Sequence, residues 1–565
     1  MNSERRGLVV VVAVLLVSAV LGGIYGPNVR ATTASADDYQ TAVRDFTRVL
    51  NVVQNNYADS VDVDKAVYQG AIPGMLRMLD PHSSFFDAKQ FALLREDQRG
   101  KYYGVGMVVA PRENHTVVMA PYVGAPAYNA GVRPGDVIVK VDDKSTDGLT
   151  TSEVADMLKG PKGTVVKITV SREGYAEQLV FTVTRDEIPR HSVDITFMLK
   201  PSVGYIRLSG FNETTDREIA EALRQLNASS LDGLILDMRA NPGGLLNEAV
   251  AVGDMFLDKN QLIVSHHGRT SPERRYYAGR GNQGVTVPLV ILVNNNSASA
   301  TEIVSGAVQD HDRGLIVGET TFGKGLVQTV TALSENTGLA LTTARYYTPS
   351  GRLIQRDYKS VSLYEYHYER KVPDHPTEVK LTDSGRQVTG GGGITPDISV
   401  PAPKLTKFEQ LLYRDDVFFP AETGVGGFTR YYLGTKPAIA KDFEADDNVL
   451  RVFREYLSRH NVRYTEPEMA EGLDWIKRKI KQEVFMSASD SRRALKFCSK
   501  PTPKYRRPWK RFLRRGRYTR TPRRSWHSVQ AGRSSNRNVT RMSLTGYDFG
   551  RMGSRTRVGK QLHLC

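Results

Sequence analysis

The sequence predicts a multidomain chain of mixed α+β and α/β class, centred on a mainly parallel sheet with covering helices. Three observations predict it. Between residues 187 and 402, strand-like and helix-like segments alternate, an order that builds parallel sheets with helices on their faces. Residues 99–186 instead contain short apolar runs punctuated by glycine, the pattern of a β-rich module. The flanking segments 37–98 and 403–486 carry apolar residues at three-and-four spacing and read as helical. A chain of 565 residues exceeds what one core supports, so several domains are expected.

Residues 1–36 open the chain with Arg5 and Arg6 before an uncharged apolar stretch, 7–24, and the small residues Ala34, Ser35 and Ala36. This reads as a signal peptide or an uncleaved membrane anchor, with Asp37 onward exported to a periplasmic or other extracytoplasmic space. AVRDFTRVLNVVQNNY and AVYQGAIPGMLRMLD then carry helical periodicity. Asp80-Pro81-His82-Ser83-Ser84-Phe85-Phe86 forms a turn, in which a lone His82 reads as structural. In 99–186, YYGVGMVV, HTVVMAPY, VVKITVSRE and QLVFTVTRD read as strands and LTTSEVADMLKG as a helix.

The central part begins with the strand SVGYIRLSGF and the amphipathic helix DREIAEALRQLNAS. DGLILDMR is a buried strand, closed by the tight loop Ala240-Asn241-Pro242-Gly243-Gly244, and LNEAVAVGDMFLD is helical. An apolar strand at 287–293 is broken by polar 294–297, and a helix pattern starts near Ser299. A second apolar run, 314–317, leads to a Gly-rich loop holding Lys324, with Gln328 four residues on. In such sheets, sites lie beyond the carboxyl ends of strands. The loops after Met238 and Val293 are of that kind and can face one another.

Composition separates the ends from the body. Of 77 Lys and Arg and 61 Asp and Glu, 22 and 2 fall in residues 487–565, so the first 486 residues carry 55 against 59. The net charge of +16 therefore belongs to an Arg-rich tail with too little apolar content to fold, read as disordered. Its Tyr505, Trp509, Tyr518 and Trp526 interleave with arginine, but a solvated extension is the preferred reading, and nucleic acid is not an expected partner. Both cysteines, Cys498 and Cys565, lie in this tail, so the body holds no disulfide and no thiolate nucleophile. A homo-oligomer is compatible with the sequence.

The residues themselves suggest acyl-transfer chemistry. Ser299 at a helix start is a candidate nucleophile, Lys324 a candidate base if burial lowers its pKa, and Gln328 a group to orient that base. Backbone amides of Ala300 and of Gly243 or Gly244 are candidate oxyanion donors. Other readings stand beside this one. Ser297 and Thr301 compete with Ser299, and Ser299-x-x-Glu302 is also a capping box. A Ser-His-Asp arrangement would draw on His266, His267 or His311. Gly323-Lys324-Gly325 lacks the pattern of a phosphate-binding loop.

Two resemblances narrow the choice. Residues 103–185 resemble a PDZ domain. Gly104-Val105-Gly106-Met107 falls where that family binds a terminal carboxylate, and Ala130-Gly131-Val132-Arg133-Pro134-Gly135-Asp136 matches its turn before a strand. NNNSASATEIVSGAVQDHDRGLIVGETTFGKGLVQ resembles the signature of the C-terminal processing peptidases, or tail-specific proteases. DMRANPGG, YYTPSGR and GITPD match as well. The resemblance implies a crotonase-like core and a Ser-Lys dyad of Ser299 and Lys324, with Gln328 as the third member. It puts oxyanion donors at Ala300 and at Gly243 or Gly244. It implies a serine endopeptidase that needs no metal or other cofactor and acts on protein or peptide substrates with free C-termini. A PDZ-type adaptor with an idle site is the alternative.

Overall fold

The computed structural model describes residues 36–487 apart from 113, 173–174, 370–377, 415–416, 419–426 and 435–442. The expected signal or anchor and the basic tail lie outside the described residues. Two compact units divide the chain after Met78. The first holds α1 (Ala36–Asn56), a π-helical turn (Lys65–Ala71) and α2 (Ile72–Arg77). Among the described residues no helix is long and apolar enough to cross a membrane.

The second unit opens with β1 (Ser84–Phe86) and α3 (Ala88–Arg99), which Asp87 starts with a reciprocal capping box to Gln90. β2 (Lys101–Gly104), β3 (Met107–Arg112), β4 (His115–Pro121), the one-turn α4 (Pro126–Asn129), β5 (Val137–Val141), β6 (Lys144–Ser145), α5 (Thr151–Leu158), β7 (Val165–Ser171), β8 (Leu179–Thr184) and β9 (Asp186–Pro189) follow. Five of these strands run in the order β3-β4-β5-β7-β8, with β6 on β5, and β2 pairs with β9. Alternation turns Val166, Ile168 and Val170 inward with Val118, and a register shift between Ile138 and Lys140 lets both Ile138 and Val141 join them against Val154 of α5. β3 is left as an edge, with α5 against it.

β10 (Val193–Lys200), β11 (Val203–Leu208), α6 (Thr215–Gln225), β12 (Gly233–Asp237), α7 (Leu246–Asp254), β13 (Leu262–His267), β14 (Arg274–Tyr277), β15 (Leu289–Val293), α8 (Ala300–Asp310) and β16 (Gly314–Gly318) then build the core with β17 (Leu326–Ala332) and β18 (Gly338–Tyr347). The hairpin β19 (Glu378–Leu381) and β20 (Gln387–Gly390) precedes β21 (Ile398–Ser399). One sheet runs β10-β11-β12-β15-β16-β21 and is parallel from β11 onward. The helices bury apolar stripes on it: Ile219, Ala222 and Leu223 of α6 sit at helical spacing and are buried.

The sequence reading omitted a second sheet. It is antiparallel, ordered β1-β18-β13-β14, with β17 also on β18. Its strands mix Thr, Arg and Tyr with apolar residues, so the long apolar runs that mark buried parallel strands are missing from them. The two sheets share one apolar core that includes Leu236, Ile291, Val304, Val264 and Tyr346. A separate cluster around Phe418, Phe428 and Phe453 holds the helices α9 (Lys407–Arg414), α10 (Phe428–Gly434), α11 (Asp447–Arg459) and α12 (Glu466–Ser487).

Candidate active site

Every residue of α8 is buried. Its sequence, ATEIVSGAVQD, contains β-branched residues and glycine and is a poor helix on propensity alone, so burial against both sheets must sustain it. Ser299 stands at its head, joined to β15 by a five-residue loop, at φ 56° and ψ −115°. An L residue there carries strain on the order of 1–3 kcal/mol, which the surroundings must hold.

The surroundings are two stitched loops. Ala240 N–H donates to Asn294 Oδ1 (2.8 Å), Ala298 N–H to the Asn241 carbonyl (3.0 Å), and Ser297 Oγ to the Met238 carbonyl (2.8 Å). The loops after Met238 and Val293 thus lie against each other. These bonds also sort the three competing hydroxyls. Ser297 and Thr301 are fully buried and donate to carbonyls, Thr301 to that of Asn241 at 3.1 Å. Ser299 alone of the three is partly accessible.

Gly243 sits against the serine. It has φ +96°, and a Cβ there would lie 2.8 Å from Ser299 Cβ and 2.9 Å from the Ala300 nitrogen. Ala300 N–H is the first amide of α8, which has no carbonyl one turn back. The Gly243 amide donates to Asn241 Oδ1 (2.9 Å).

Lys324 lies in the loop between β16 and β17, and two buried side chains tie it to Ser299. The Glu302 carboxylate accepts from the amides of Ser299 (2.7 Å), Gly323 (2.7 Å) and Lys324 (3.0 Å) and from Thr321 Oγ1 (2.5 Å). The Tyr346 hydroxyl is shared between the carbonyls of Ser299 (3.1 Å) and Lys324 (2.5 Å). The Phe322 amide also reaches the Ser297 carbonyl (2.9 Å). In the sequence Glu302 showed as a capping partner and Tyr346 as the first residue of YYTPSGR, neither with a role at the site.

Lys324 Nζ donates to Gln328 Oε1 (2.8 Å), and Gln328 Nε2 to the His82 carbonyl. Burial pushes the Lys324 ammonium below the ordinary lysine range, opposed by the carboxylates of Glu302 and Asp80. His82 is pushed down to about 4, first by burial and then by Lys324. Burial raises Glu302 to about 7, because its four donors are all neutral and offset only part of the desolvation.

The three histidines of the alternative arrangement bond elsewhere. His266 Nε2 lies 3.2 Å from Tyr276 Oη, His267 stacks on Tyr347, and His311 lies within hydrogen-bond distance of Asp383 and the Leu262 carbonyl. No cluster of three or more metal-ligating side chains occurs among the described residues. In the β-rich module, Gly104 ends β2 and Met107 begins β3, with Val105 and Gly106 between, all four buried. Gly106 takes φ +75°, and a Cβ there would lie 2.5 Å from Ala125 Cβ. The carbonyls of Val105 and Gly106 accept from Ala127 and Tyr122.

Comparison with known proteins gives the family. Residues 202–360 match the model of Peptidase family S41, and residues 117–172 that of the PDZ domain. A carboxy-terminal-processing protease of Bartonella bacilliformis is 38% identical over 328 residues, covering 57% of this chain and 75% of that protein. The carboxy-terminal processing protease CtpA of Bacillus subtilis is 32% identical over 349 residues, covering 62% and 74%. Among solved structures, a photosystem II D1 C-terminal processing protease is 29% identical and covers 63% of this chain and 92% of that one, at a TM-score of 0.33. The chain belongs to the carboxy-terminal processing proteases of peptidase family S41.

Proposed function

We propose that this protease is an exported endopeptidase that takes hold of substrate C-termini through its PDZ domain and cleaves with Ser299 and Lys324. One observation carries the catalytic part. A desolvated lysine, held by Gln328, shares two buried partners, Glu302 and Tyr346, with a serine in a strained turn. Ser299 Oγ attacks the peptide carbonyl while the neutral Lys324 amine takes its proton. The resulting ammonium protonates the leaving amine, and water activated by the same lysine then hydrolyses the acyl-enzyme.

The oxyanion is met by the Ala300 amide and an amide of the Gly243–Gly244 segment. The bond of the Gly243 amide to Asn241 favours Gly244 as the second donor. In the PDZ domain, the substrate's last residues would extend the β3 edge beside α5, with the carboxylate at Gly104, Val105, Gly106 and Met107. Export rests on Arg5, Arg6 and the apolar stretch 7–24.

Incubation of the full chain with an unstructured polypeptide bearing an apolar C-terminus, read by mass spectrometry, tests this. Ser299→Ala and Lys324→Ala should each abolish cleavage while leaving peptide binding in place. Cleavage by all three proteins alike would reject the dyad, and a parent that binds without cleaving would favour the adaptor.

A further inference from the structure

Gln328 is an amide, and its two ends are chemically opposite. For Lys324 to donate to it, the oxygen must face the lysine, and something must hold the other end as a donor. That partner is the main-chain carbonyl of His82, which can only accept. A carbonyl placed there forbids the flipped amide, whose NH2 group would confront the lysine's own hydrogens.

The His82 carbonyl is itself fixed by a buried turn. Asp80 Oδ1 accepts the amides of His82 and Ser83, each at 2.8 Å, and Oδ2 accepts the Ser83 hydroxyl at 2.7 Å. Ser83 Oγ in turn accepts the Thr342 amide (3.1 Å), and Thr342 is the β18 residue paired with Gln328. The turn and the glutamine are therefore both registered on one residue of β18. The His82 ring is held as well: Nε2 lies 2.9 Å from Tyr366 Oη, which accepts from Gln355 Nε2 (3.2 Å). Gln355 Oε1 accepts the Gly325 amide next to Lys324 (2.8 Å). Two separate routes thus tie residues 80–83 to the lysine loop.

We propose that the Asp80–Ser83 turn is a positioning element for the catalytic base: its His82 carbonyl sets the orientation of Gln328, and through it that of Lys324. The proposal rests on the Ser299–Lys324 reading. It assigns Asp80 and Ser83 a role in turnover although neither touches substrate or the reacting atoms.

The test is a double-mutant cycle in the full chain, with kcat and KM measured on one peptide substrate for the folded protein. Asp80→Ala should lower kcat about tenfold and leave KM unchanged, since an interaction made through the base acts on the chemical step. Asp80→Asn keeps an Oδ1 for both amides and should recover most of that loss. In a Gln328→Ala background, Asp80→Ala should cost nothing further. Ser83→Ala carries the same comparison if Asp80→Ala fails to fold. An equal loss with and without Gln328, or a loss confined to KM, overturns the proposal while leaving the dyad intact. Activity that survives Ser299→Ala or Lys324→Ala overturns the dyad reading, and the positioning role falls with it.

Discussion

The carboxyl end of β12 and the head of α8 each bury a carboxylate completely, and the two sites treat it in opposite ways. Asp237 receives a guanidinium. Burial would raise it, but Arg239, at 2.5 and 2.9 Å, and Arg207 outweigh this and hold it below the usual carboxylate range, aided by the Tyr205 hydroxyl at 2.6 Å. Glu302 receives three amides and a threonine hydroxyl, no cation, and rises to about 7. A buried charge with a matched counter-charge is a fixed structural joint. A buried carboxylate whose hydrogen bonds all come from neutral donors is a hub whose protonation state stays open near neutral pH, and here it is the hub that joins Ser299 to Lys324.

Breaking the two carboxylates should separate these roles. Glu302→Ala leaves the amides of Ser299, Gly323 and Lys324 without their acceptor and frees both loops. We expect kcat to fall by about three orders of magnitude, given that each unpaired buried donor costs about 1–3 kcal/mol. Asp237→Ala removes the partner of Arg239, whose side chain is 39% exposed and can be resolvated, so the main loss, about 1–3 kcal/mol, should appear in denaturant unfolding rather than in turnover of the folded fraction.

Gly243→Ala puts a methyl against Ser299 and the Ala300 amide at a positive φ. Steady-state kinetics should show kcat lower by about 10²–10³, the size expected when an oxyanion donor is displaced.

Stability against pH should sharpen the contrast. Glu302 has a raised pKa, so its favourable contribution is complete below the unfolded value of about 4.3 and is lost as pH rises through about 7. Asp237 has a lowered pKa, so its contribution is present above about 3.9 and is lost as pH falls through the folded value. Unfolding midpoints from pH 2 to 9 should therefore flatten between about pH 4 and 7 in Glu302→Gln and below about pH 4 in Asp237→Asn. The smallest effect concerns Lys324, the proposed base. Glu302 raises the Lys324 pKa, so Glu302→Gln lets it fall further, and the rising limb of kcat/KM should move to lower pH.

What the sequence made legible follows from locality. The strand at 287–293, the helix after Ser299 and the run at 314–317 are each contiguous, and their order alone put a serine and a lysine at neighbouring strand ends. Gln328 was reachable too, being four residues from Lys324. Glu302 was visible as an i+3 capping partner, but its bonds to residues 321–324 cross a strand and a loop and leave no local pattern. The His82 carbonyl leaves less still, since every residue has one and this one lies 246 positions from Gln328. The antiparallel sheet was missed because β17 and β18 interleave Thr, Gln and Arg with apolar residues and form no long apolar run, and their pairing shows only once the chain is folded.

β18 has a consequence beyond its place in that sheet. It pairs with β17 beside Gln328, receives β1 just after the 80–83 turn, and carries Tyr346, whose hydroxyl spans the carbonyls of Ser299 and Lys324. One strand thus serves as the common ruler against which serine, lysine, glutamine and turn are all measured. A slip of one residue along it would turn Thr342 and Tyr346 to the opposite face while leaving every backbone ladder able to form. Such a molecule would still be a folded sheet but no longer a peptidase, so transplanting this chemistry to another scaffold means transplanting β18 first.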